Sequence, residues 1–309
     1  MMEKNDLYKI KIQDKFGFIN QQGDIVIEPY YKSVNDFSEG VAYVWTFDDK
    51  EGYINNSNKW VIELNADFLG DFEYGMAIVI YKGKYGCINK QGEFVIEPIY
   101  ERIYAINSEN SVIAEKKGKV GVFGISNQII IEPIFDVLGT FSDGLALAKQ
   151  GSDFGFINDK GEQKIAYQYK YVSNFSEGLA EASIDGERYG FINKQGEFHI
   201  SPNYYQVSSF SEGLAGFKLK ANGKWGYIDS LGNVVIKNKF QSVGDFNSSL
   251  AVVESKDMYG YIDKQGEYLL KNVFTTADPF YKGLGCVTFN GEWGYVDTKG
   301  SWIFKSNNF

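Results

Sequence analysis

The chain has 309 residues, 44% of them hydrophobic, with 40 acidic and 31 basic side chains and a formal net charge of −9. That balance argues against a nucleic-acid groove, which needs a basic stripe to displace counterions, and no apolar run approaches the ~20 residues of a membrane helix. The 34 Gly, 24 Phe and 22 Tyr against 5 Pro favour many short strands joined by tight turns.

The N-terminal stretch MMEKNDLYKIKIQ is polar and holds no apolar segment of signal-peptide length, so a cytoplasmic protein is expected. Residues 7–13 read as a first strand. Next comes Phe16-Gly17-Phe18-Ile19-Asn20, and this aromatic-Gly-aromatic-Ile-Asn/Asp string recurs along the chain, as in Trp225-Gly226-Tyr227-Ile228-Asp229 and Tyr259-Gly260-Tyr261-Ile262-Asp263. Its glycine falls at 17, 52, 86, 121, 155, 190, 226, 260 and 294, with successive differences of 35, 34, 35, 34, 35, 36, 34 and 34. A fixed period of this length is the signature of a repeat architecture.

Other columns keep the same register. Six residues after the motif glycine stands a second glycine, or Asn58 and Asn127 in the second and fourth units; both residue types tolerate a left-handed backbone. Each unit predicts three short strands. In residues 213–237 these are Leu214–Leu219, Trp225–Ile228 and Val234–Ile236, joined by turns at 221–223 and 229–232. An unvarying glycine between aromatics implies close approach of a neighbouring backbone or ring. The link to the next unit carries Phe-Ser-Glu-Gly-Leu-Ala or a relative of it, as at Phe175–Ala180 and Phe210–Ala215. Its Phe column is expected to plug successive units together. No segment shows sustained helical periodicity, although a 3₁₀ turn in the link is compatible with the sequence.

The string Lys224-Trp225-Gly226-Tyr227-Ile228-Asp229, taken with Phe210–Ala215, resembles the WG-repeat family of bacterial proteins, and the resemblance covers residues 7–305. The Trp-Gly pair itself survives at Trp225 and Trp293. The resemblance implies a repeat architecture and little settled biochemistry. The expected fold is therefore a single all-β domain over residues 1–309, a tandem array of nine three-stranded antiparallel units of ~34 residues that stabilise one another by stacking. Because each unit reads as complete in sequence order, an open or gently superhelical array is expected, with a closed propeller-like ring as the alternative. Propellers usually have four to eight four-stranded blades.

No nucleophile elbow, P-loop or zinc-protease motif is present. His199, the single histidine, occupies the strand column of Val26, Val95, Ile130 and Val235 and is read as a strand residue. Cys87 stands where other units have Phe or Tyr and reads as a small buried hydrophobe; Cys286 receives no role. No catalytic, cofactor or metal site is expected, and the chain is expected not to be an enzyme. The recurring acids are the candidate binding residues. Glu39, Asp143, Glu177 and Glu212 share the Ser-Glu-Gly turn, and Glu51 stands in an atypical second unit near Glu63. Repetition aligns the turn acids in a ladder suited to a basic protein, or leaves them as turn carboxylates accepting a nearby backbone N–H. The fourth unit, with Val120 and Gly124, is the other outlier. The function expected is a non-enzymatic protein-binding scaffold with an acidic extended surface, of the immunity or adaptor kind. The alternative is a carbohydrate- or small-ligand-binding, lectin-like repeat protein.

Overall fold

A computed structural model describes residues 6–64 and 66–306. Its strands form nine separate antiparallel sheets in chain order, the first with three strands and the other eight with four. The three strands expected per repeat are present. The fourth lies inside the stretch expected to be irregular; it is six and seven residues long in the third and fourth sheets, Phe68–Glu73 and Arg102–Ser108, but elsewhere spans two residues, as where Ser33–Val34 pairs with Trp45 and Val44, and Ser242–Val243 with Glu254 and Val253. Two residues offer no alternation to read, which is why the count of three strands per unit fails. Two premises of an open array fail with it. Units are four-stranded, and the strand phase runs from link to link, leaving the first sheet one strand short. The single 3₁₀ turn among the described residues lies at Ile125–Asn127 in the fourth sheet's last turn, not in a link.

The motif glycine has a steric cause. Between the last two strands of each sheet the pairing slips. In the seventh sheet, Trp225 opposes Phe240 but Tyr227 opposes Ile236, so the edge strand bulges over the glycine. A Cβ on Gly226 would lie 2.4 Å from the Ile236 carbonyl oxygen, and one on Gly190 would lie 2.3 Å from that of Ile200. Only glycine leaves room. The Asn/Asp that closes the motif holds the next turn: Asp229 Oδ1 accepts the backbone N–H groups of Leu231 and Asn233 at 3.0 and 2.8 Å. Asn58 and Asn127, at φ of 58° and 60°, adopt the left-handed conformation that glycine supplies elsewhere.

Apolar cores lie between consecutive sheets rather than within one. Leu179, Phe191 and Ile200 of the sixth sheet pack with Val207, Phe210, Ala215, Phe217 and Ile228 of the seventh. The link phenylalanine is the plug expected. Phe210 meets the Phe191 ring at 4.7 Å between centroids, and Phe246 meets Tyr227 at 4.9 Å. The adjacent serine adds a latch, since Ser176 and Ser211 donate to the carbonyls of Phe210 and Phe246 at 2.7 and 2.6 Å. A single sheet therefore has no core of its own. The chain groups into two compact units, one comprising the residues up to Leu138 together with Ser306, the other Gly139–Lys305.

Candidate functional site

Within each sheet, one residue of the strand before the motif strand pairs with the residue after the motif glycine. That column reads Lys9, Tyr43, Ile78, Ile113, Leu147, Glu181, Gly216, Val252 and Cys286. Glu181 is its one carboxylate. It lies on strand Ala180–Ser183 of the sixth sheet and is only 8% exposed. A buried carboxylate is costly unless it is bonded or paired. Here Oε1 accepts the Ser209 hydroxyl at 2.8 Å, whereas Oε2 receives only a long contact from the Tyr171 hydroxyl at 3.4 Å. Beside it opens a cavity of about 660 Å³ lined by Tyr171, Glu187, Arg188, Tyr189 and Tyr205, among others. Tyr171 and Tyr189 meet edge to face at 5.4 Å. The Arg188 guanidinium is turned to the Leu219 carbonyl at 3.3 Å.

Burial pushes the Glu181 carboxyl above its ordinary range, and the nearby Asp245 charge pushes it the same way, against the pull of the Ser209 and Tyr171 bonds. Burial and the Glu181 carboxylate together push the Tyr171 phenol up to about 12. For a carboxyl with a raised folded-state pKa, the stabilisation it gives is full below the unfolded pKa and is lost as pH rises through the folded one. Glu181→Gln should therefore melt higher than the natural chain near pH ~8, and the difference should vanish near pH ~4. Thermal melts across that range check this, and an equal offset at both ends would contradict it.

The acids singled out in the sequence hold the sheets together. Glu39, Asp143, Glu177 and Glu212 all have left-handed backbones, with φ of 50°, 56°, 54° and 51°. Their carboxylates accept the backbone N–H of Gly75, Gly178, Gly213 and Ser249 in the same turn of the following sheet, at 2.9–3.0 Å. Lys90, Lys194 and Lys264 also meet Glu39, Asp143 and Glu212, at 3.2, 3.8 and 3.2 Å. The ladder is thus a set of staples between sheets, the reading of these acids as turn carboxylates that accept a backbone N–H. Glu51 accepts the Tyr43 hydroxyl at 2.9 Å and, with Glu63, lines a smaller cavity of about 270 Å³ at the second sheet. Lys50 shares that cavity and lies 3.9 Å from Glu63. Cys87 is buried, and burial pushes its thiol up to about 12. His199 is exposed, with Nε2 3.1 Å from the Ser230 carbonyl oxygen. Sequence reasoning missed Glu181, whose signal was a carboxylate in a largely apolar column.

The edge strands carry a second set of exposed residues. The last strand of each sheet in chain order closes one of its edges. Ile25 and Val26, Ile129 and Ile130, and Val234 and Val235 lie on such strands and are 44–53% exposed. Among the described residues, no group of three or more His, Cys, Asp or Glu is placed to hold a metal ion.

These features define a tandem all-β repeat protein. The family model for the WG containing repeat matches residues 16–44, 52–85, 85–119, 121–152, 154–187, 189–225, 225–257 and 259–293, and the chain belongs to that family. Among solved structures, a eukaryotic initiation factor is similar over 98% of this chain and 96% of its own, with a TM-score of 0.71 and 11% identity. Hsv2p of Kluyveromyces lactis is similar over 74% of this chain and 92% of its own, with a TM-score of 0.45 and 10% identity. The C-terminal WD40 domain of Sif2 is similar over 84% and 90%, with a TM-score of 0.44 and 12% identity. No curated protein matches the sequence. The first likeness spans nearly the whole of both chains and shows a shared fold.

Proposed function

We propose that the chain is a non-enzymatic cytoplasmic scaffold that binds another protein through the outward faces of its edge strands. We also propose that its nine sheets are blades of a closed nine-bladed propeller. The closed ring replaces the open array expected from the sequence. Its support is the full-length likeness to the initiation factor, together with the failure of both premises for an open array.

The observation that carries the binding role is the repeated pair of exposed aliphatic residues on edge strands. An exposed strand edge with apolar side chains is a template for another chain. The residue two positions further on is Glu28, Glu97 or Glu132 in the first unit, but Lys237, Lys271 or Lys305 in the last three sheets. A basic partner therefore matches the first unit alone. Capture from cell extract should recover one protein with the natural chain and lose it with Ile130→Lys combined with Val235→Lys. Equal capture by both chains would sink the reading. The second reading, a small-ligand-binding repeat protein, draws on the Glu181 cavity.

A further inference from the structure

We propose that the Glu181 cavity is a binding site for an alkylammonium group, either a free amine or a lysine side chain presented by a peptide. The repeat supplies the first argument. Eight of the nine residues in this column are not carboxylates, and the other charged one, Lys9, is paired with Asp36 at 3.1 Å. Glu181 has no such partner: among the described residues, no lysine or arginine lies within ion-pair distance of it. Where other repeats tolerate Leu147 or Val252, the fold has no need of a charge, and a costly buried one marks local conflict of the kind function sustains.

Geometry supplies the second argument. Oε1 is occupied by Ser209 and Oε2 is held only at 3.4 Å, so one oxygen retains acceptor capacity at the wall of a cavity about 660 Å³ in size. The other walls include Tyr171, Tyr189 and Tyr205. A buried carboxylate among aromatic faces attracts an organic cation twice, through charge-assisted hydrogen bonding and through the ring quadrupoles. Glu187 adds a second acid to the lining. The one cation there, Arg188, is directed to a backbone carbonyl. A neutral sugar would leave the carboxylate uncompensated, so the electrostatics favour the cation. This site stands whether or not the edge strands bind a partner.

Calorimetric titration of the full chain with n-butylammonium chloride, tetramethylammonium chloride and a capped Gly-Lys-Gly peptide tests the assignment, with sodium chloride and methyl β-glucoside as controls. Saturable binding of the ammonium compounds is expected. Glu181→Gln, which keeps the shape and an acceptor for Ser209, should weaken it on the order of tenfold or more. Tyr205→Ala, at an exposed wall position, should weaken it severalfold. Tighter binding of the peptide than of butylammonium identifies a lysine side chain as the ligand, and equal binding identifies a free amine. The assignment is overturned if no ammonium probe saturates, if the glucoside alone binds, or if Glu181→Gln binds as the natural chain does.

Discussion

Gly226→Ala is expected to destabilise the protein by about 3 kcal/mol or more, at the upper end of overpacking substitutions. The methyl would sit 2.4 Å from the Ile236 carbonyl oxygen and 2.9 Å from the Asn238 nitrogen, both backbone atoms. Neither can rotate away, so relief requires the edge strand to lift off, taking Ile236 from the core it shares with Phe240 and Phe246. Gly213→Ala is the comparison. Gly213 has φ of +86°, and a Cβ added there would meet nothing within 4 Å, so its cost is conformational, about 1–2 kcal/mol. Denaturant unfolding of both variants checks the difference. A Gly226 variant no worse than the Gly213 variant would show that the bulged strand does not press on the motif glycine.

Phe210→Ala should cost about 3–5 kcal/mol, the range for emptying a buried aromatic site. The ring is 2% exposed and lies 4.7 Å from Phe191, in a cluster shared by the sixth and seventh sheets. Because the core lies between sheets, the loss should register on both sides of the cavity. Hydrogen exchange should accelerate in Tyr189–Ile192 and Leu214–Lys218 together. Acceleration confined to one sheet would mean that the sheets hold their own cores and that the link phenylalanine is not a plug.

Much of this organisation was legible in the sequence because repetition separates what the fold demands from what one unit happens to carry. The motif glycine, the left-handed Asn58 and Asn127, and the phenylalanine plug were each readable from their columns. Two-residue strands such as Ser33–Val34 were not, since pairing there is imposed by the neighbouring strand and leaves no pattern in side-chain polarity. Glu39, Asp143, Glu177 and Glu212 were legible as a column and as turn carboxylates able to accept a backbone N–H, but not that the N–H belongs to the following sheet. A residue repeated for an internal staple looks the same in sequence as one repeated for a partner. Glu181 shows the converse. It broke its column and so was visible in principle, yet its importance depends on the cavity beside it, which residues distant in sequence create.

The edge strands are proposed to bind a protein. A photoreactive amino acid at Ile130 or at Val235, with Leu231 in an exposed turn as control, tests it most directly in cell extract under ultraviolet light. A discrete crosslinked protein is expected from a strand position and is expected to be absent from Leu231. Identical labelling from all three positions, or none from either strand position, would contradict the claim.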